Sequence, residues 1–155
     1  MPDWRKHVQC SMFNFQYSTD VLVLKINFMA NKTYDLEDRF VEYSCRMIDV
    51  VEALPNTRAG NYIAGQLVKS CISPTFNYGE VQGAESRNDF IHKLGVVLKE
   101  LKECRTALKI IRRKELIKPI KKTDELFKET EELIAIIAKS IETAEKNKGA
   151  SKNEH

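Results

Sequence analysis

Histidine is scarce in this 155-residue chain: only His7, His92 and His155 occur, too few for a His-rich metal site, so no metal is expected. The four cysteines, Cys10, Cys45, Cys71 and Cys104, are widely spaced and include no C-x-x-C pair. That excludes zinc-ligand spacing and the dense pattern of a small secreted scaffold. They read as reduced thiols of a cytosolic protein, with Cys45, Cys71 and Cys104 acting as small hydrophobes in helical patterns. Long apolar runs are missing too. Nothing approaches the ~20 residues that span a bilayer, and Val21–Leu24 is halted by Lys25, too short for a signal-peptide core. The expectation is a cytoplasmic chain with no membrane partner. No Gly-rich loop joins a strand to a helix and no nucleophile sits in a recognisable elbow, so no cofactor and no catalytic residue is assigned. Charge of one sign is also lacking: the formal net charge is +3. Any contact with nucleic acid must therefore come from a local patch.

What is present is helical periodicity. Residues 1–28 stand apart, with the sole Trp, no helical period, and an alternation of Leu22, Leu24, Ile26 and Phe28 that predicts a short strand. Two readings stay open for them: an over-extended frame with Met29 as the natural initiator, or a genuine extension that folds onto the rest. From about Tyr34 to Leu54 the spacing of Leu36, Phe40, Tyr43, Met47, Val51 and Leu54 predicts a first amphipathic helix, ended by Pro55. A second runs from about Ala59 toward Gln82, with Ile63, Leu67 and Cys71 on one side and Pro74 expected to kink it or break one bond. A third, Ser86 to Arg113, carries Phe90, Val97, Cys104 and Ile111 seven apart, interleaved with Leu94, Leu101 and Leu108. Pro119 breaks the chain, and Thr123-Asp124-Glu125 suits the start of a fourth helix that reaches about Asn147 through Leu126, Leu133, Ile134, Ile137, Ile141 and Ala144. Residues 148–155 read as a polar, disordered tail. Four such helices with short connections predict an all-α, antiparallel up-down-up-down four-helix bundle over 29–147.

Two stretches draw attention as sites. Tyr78–Lys93 is crowded with ionisable and polar groups, and Glu80, Glu85, Asp89 and His92 invite a general acid–base reading. Asp89 and His92 are only one helical turn apart, however, a spacing usual for surface or capping contacts. Ser86 and Asp89 read as an N-terminal cap. The favoured role of Asn77, Glu80, Gln82, Glu85, Ser86, Arg87, Asp89 and His92 is structural: a polar network locking the second helix to the third, or serving a subunit interface. The other stretch holds Lys109, Arg112, Arg113, Lys114, Lys118, Lys121 and Lys122, seven cations within fourteen residues against one acid, Glu115. A solvated face with cations suited to a helix C-terminus explains it blandly; phosphate contact explains it functionally. Beside the main stripes lie Ile48, Val50, Val68, Ile72, Val96, Leu98 and Ile136, which either widen the core or face a neighbouring subunit.

Gln66–Ile111 resembles the bacterial four-helix-bundle proteins related to those encoded in intervening sequences of large-subunit rRNA genes, and to the accessory protein of diversity-generating retroelements. The features that carry it are Gln66-Leu67, Lys69-Ser70, Ser73, Asn77, Glu80, Gln82, Ala84–Lys93 and Leu98–Glu100, and Leu133–Asn147 resembles the family's last helix. The likeness spans about Tyr34 to Asn147. It implies a bundle that assembles as a ring-shaped homopentamer, not known as an enzyme, with a basic surface and nucleic-acid association. The chain departs from the family at Ser73–Phe76, where Pro74 and bulky Phe76 replace small residues. The leading expectation is a non-enzymatic oligomeric accessory protein that contacts RNA or DNA through a basic patch repeated around a ring. The alternative is a protein-only adaptor that recruits a partner such as a polymerase.

Overall fold

The computed structural model describes residues 36–150. They form four helices and, among the described residues, no strand: α1 (Leu36–Glu52), α2 (Arg58–Val81), α3 (Arg87–Arg113) and α4 (Lys121–Ala150). The expected strand near Leu22–Phe28, the question of Met29, Tyr34 and the last residues of the tail lie outside the described residues.

α3 is the bundle's spine. Its heptad residues Phe90, Leu94, Val97, Leu101, Cys104, Leu108 and Ile111 are all buried, as the seven-residue spacing requires of a helix packed on both neighbours. α1 adds Phe40, Tyr43, Met47 and Val50. Here the structure chooses Val50 over Val51, which is only half-buried; steps of three and four from Met47 are sterically equivalent until a partner helix selects one. α4 adds Leu126, Leu133, Ile137 and Ala144. Of the residues beside the stripes, Ile48, Ile72 and Leu98 pack on the edge of this core.

Each helix packs on its sequence neighbour, and α1 closes the bundle against α4. Cross-helix pairs fix the sense. Arg39 reaches Glu129 and Glu132 while Arg46 reaches Glu125. Arg105 pairs with Glu131 and Arg112 with Asp124. Rising numbers on one helix meet falling numbers on the other, so neighbours are antiparallel, up-down-up-down. Of the four neighbouring pairs, the α1 and α4 backbones approach each other least, and a fork spans the seam: Arg39 Nε and Nη2 donate to the two oxygens of Glu129 at 2.6 and 2.9 Å. At this half-exposed site the fork is worth on the order of 1 kcal/mol. Deeper in the same seam, Tyr43 and Thr130 hydroxyls meet at 2.9 Å. Burial first, then neighbouring Cys104, pushes the Tyr43 phenol up, so it stays neutral.

Several boundaries differ from the sequence reading. α1 stops at Glu52, and its last turn tightens through Leu54 N–H to Val51 C=O before Pro55. α2 begins at Arg58 behind Thr57, whose hydroxyl accepts the Gly60 N–H at 3.0 Å. A Cβ at Gly60 would lie 2.0 Å from the Pro55 carbonyl oxygen, so only glycine lets the connection fold this closely onto α2. α2 runs unbroken through Pro74, which is buried. Beside it Ser44 donates to the Cys71 carbonyl and Thr75 to the Phe40 carbonyl, stitching α1 to α2 where the ladder loses a donor. Phe76 points outward, 70% exposed, so its bulk does not disturb packing within the bundle. α4 starts at Lys121, and Thr123 is buried in its first turn, donating to Ile120 C=O at 2.6 Å. The helix also passes Asn147 to end at Ala150, since Lys-Asn-Lys-Gly holds no proline to stop it. Cys45 is exposed, unlike buried Cys71 and Cys104; it faces away from α1's core stripe.

Candidate nucleic-acid interface

The antiparallel order puts the α1–α2 connection, the end of α3 and the start of α4 at one end of the bundle. The seven cations lie there. α3 is closed by a Schellman arrangement: Leu116 N–H bonds Ile111 C=O at 3.0 Å and Glu115 N–H bonds Arg112 C=O at 3.2 Å. Glu115 takes the left-handed position that glycine usually fills, with φ of 48°. Ile117 then plugs the connection into the core. Backbone bonds and one apolar plug thus shape this turn, and most of its charged side chains are not needed to hold it.

The cations divide into two groups. Arg112 is inward: it pairs with Asp124 at 2.7 Å and lies 4.7 Å from the Phe127 ring centre. Lys109 stands 5.9 Å from the same ring, and Lys118 pairs with Glu115 at 3.6 Å. Arg113, Lys114, Lys121 and Lys122 are exposed, and none of the four has an ion-pair partner among the described residues. Arg113 and Lys114 suit the negative end of α3. Lys121 and Lys122 sit in the first turn of α4, where the helix dipole is positive and cations are disfavoured.

The opposite end holds the other group of residues. Ser86 Oγ accepts the Asp89 N–H at 3.1 Å, and Asp89 accepts the Glu85 N–H at 3.1 Å and the Lys93 ammonium at 2.9 Å. The bond from Lys93 and then that from the Glu85 N–H hold Asp89 below the ordinary carboxylate range. Gln82 approaches Glu37 of α1 at 3.5 Å. Asn77 turns back onto Ser73 of its own helix. Glu80 and His92 are exposed, and Arg87 is half-buried. The structure therefore joins Glu85, Ser86, Asp89 and Lys93 in one cap, and places Asn77 and Gln82 in separate contacts. Among the described residues no cluster of His, Cys, Asp and Glu is arranged to hold a metal ion, and no helix is long and apolar enough to cross a membrane.

The family model described as 23S rRNA-intervening sequence protein matches residues 22–139. The chain belongs to that family. The match takes in residues 22–33, upstream of the stretch where the motif-level resemblance begins. Among solved structures, the chain is similar to a protein of unknown function from the S23 ribosomal protein family of Bacteroides thetaiotaomicron. Identity is 27% and the TM-score 0.62, over 68% of this chain and 96% of that one. No curated protein matches. Membership among the 23S rRNA-intervening sequence proteins accords with the helical bundle and brings no enzyme class with it.

Sequence reasoning stopped the basic cluster at Lys109. On α3, exposed Lys99, Lys102, Thr106, Lys109 and Arg113 recur at steps of three and four, a polar stripe running back from the basic end. Its period is present in the sequence, but the buried heptad on the same helix is the stronger signal. Tyr62 of α2, 70% exposed, gives no signal of its own; it reads as one more apolar residue until the face it occupies is known.

Proposed function

We propose that this protein is a non-enzymatic nucleic-acid-binding accessory protein whose phosphate contacts come from the basic end of the bundle. The observation that carries this reading is the placement of Lys121 and Lys122 at the positive end of α4, with Arg113 and Lys114 exposed at the end of α3, none of the four in an ion pair among the described residues: the nearby acids Asp124 and Glu115 pair with Arg112 and Lys118 instead. Cations capping α3 need no ligand to explain them; cations at a helix N-terminus work against the free subunit and with a bound phosphate. Assembly into a homo-oligomer, a pentamer by family resemblance, would repeat the patch and multiply weak contacts into useful avidity.

The test is a mobility shift with RNA and with DNA across a salt series. Binding should be insensitive to sequence and weaken steeply with salt. Reversal of Arg113, Lys114, Lys121 and Lys122 to Glu should reduce the slope of log K against log salt, by about 0.7 for each single-strand phosphate no longer neutralised. Arg112 is excluded from that variant because it packs on Phe127 and Asp124. Absence of any salt-sensitive shift at low ionic strength refutes the reading. The second reading, a protein-only adaptor, is favoured by Phe76, a large aromatic 70% exposed on α2. It predicts that Phe76→Ala loses a partner in pull-down from the native host while nucleic-acid binding is absent throughout.

A further inference from the structure

Between α2 and α3 runs an open groove of about 600 Å³. Its walls are Tyr62 and Ile63 from α2 and Leu98, Ala107 and Ile110 from α3. Tyr62 and Ile110 are among the few large apolar residues of the described chain left substantially exposed. An apolar trough on a bundle surface needs an occupant whose chemistry matches both its floor and its rim. The rim is cationic: Lys99 and Lys102 border the groove, and the stripe continues through Lys109 to Arg113, a distance of about 21 Å at the helical rise. One acid lies on that rim, Glu103. It accepts from the Ser70 hydroxyl at 2.8 Å and pairs with Lys99 at 3.7 Å, which leaves Lys102, Lys109 and Arg113 as the cations of the stripe with no ion pair among the described residues. The stripe leads straight into the basic end, since Arg113 and Lys114 follow Ile110 by one turn.

We infer that this groove takes the bases of a single-stranded RNA, stacked against Tyr62 and the apolar floor, while the phosphates follow the α3 cation stripe. The inference rests on the nucleic-acid reading above and sharpens it to an RNA strand with unpaired bases. Aromatic rings stack on any base face, so binding remains tolerant of sequence, and a row of cations tracks the backbone. A duplex hides its base faces and gains nothing from Tyr62. On the groove's lining, the Gln66 amide can donate to or accept from a ribose 2′-hydroxyl, and the Thr106 hydroxyl, which gives its own proton to the Lys102 carbonyl at 3.0 Å, can accept from one.

The experiment is fluorescence anisotropy with the full chain, using labelled oligouridine about 20 nucleotides long, the matching oligodeoxythymidine and an RNA duplex of equal length. Tyr62→Ala should weaken oligouridine binding by about 5- to 100-fold, as expected for removal of one stacking platform. It should leave duplex binding and the thermal midpoint unchanged, and Tyr62→Phe should restore affinity. Lys99→Glu with Lys102→Glu should weaken oligouridine binding as well. The native protein should prefer oligouridine to oligodeoxythymidine; equal affinity overturns the choice of RNA. If Tyr62→Ala has no effect while reversal of the four basic-end cations abolishes binding, the groove proposal fails and the phosphate reading stands. If no nucleic acid binds at low salt, the phosphate reading itself falls. Should Tyr62→Ala instead change the sedimentation coefficient, the groove is a contact between copies of this chain and the proposal is overturned.

Discussion

The two ends of this bundle use their charged side chains differently. At the α2–α3 joint, charged and polar side chains hold the turn: Ser86 caps, and Asp89 takes bonds from Glu85 and Lys93. At the far end, backbone closes the turns. Gly60 lies under the Pro55 carbonyl, and the Schellman bonds fold the chain back after Arg113. Thr57 and Ile117 assist, but Arg113, Lys114, Lys121 and Lys122 there make no ion pair among the described residues. Both stretches look equally rich in chemistry when read as letters. The difference teaches that a concentration of charge points to a partner only where the fold leaves it uncompensated.

That contrast can be broken in several ways. The largest effect on stability should come from Gly60→Ala. Its new methyl meets backbone carbonyl, which cannot rotate away, so thermal or urea unfolding should show destabilisation by about 1–3 kcal/mol. A smaller change, about 1 kcal/mol, should follow Ser86→Ala, which removes the α3 cap. Nucleic-acid affinity should be untouched by it, whereas reversal of Arg113, Lys114, Lys121 and Lys122 should alter affinity and spare the unfolding midpoint. If both variants change both properties, the division between the ends is wrong. Glu115→Gly runs the other way. It relieves a non-glycine residue at positive φ and should stabilise by about 0.5–1 kcal/mol. It also deletes the acid paired with Lys118, so phosphate binding should tighten slightly.

The smallest effect is on acid sensitivity. Asp89 has a folded pKa below its unfolded value of about 3.9, so its stabilising contribution is present above that value. It disappears as pH falls through the lowered folded pKa. Stability curves of the native chain and Asp89→Asn should therefore converge below about pH 4; curves that stay parallel across that range would remove Asp89 from the cap. The buried thiols give an independent check on the core. Burial pushes Cys71 up to about 11 and drives Cys104 higher still. Alkylation mapped by mass spectrometry should modify Cys45 in the native protein and reach Cys71 and Cys104 only after denaturation.

The sequence by itself determined the bundle. Helix existence, the buried heptad from Phe90 to Ile111 and the breaks at Pro55 and Pro119 follow from period and proline chemistry, which act locally and leave a signature in the order of residues. Tertiary structure alone decided the rest. Which of Val50 and Val51 turns inward, why Cys45 stays outside, how Pro74 survives inside α2 beside Ser44 and Thr75, and which cations remain free are settled by contacts between one helix and another. The groove that unites Tyr62 with Lys99, Lys102 and Ile110 is of the same kind: its members come from the facing sides of two helices, and a one-dimensional pattern carries no record of which faces meet.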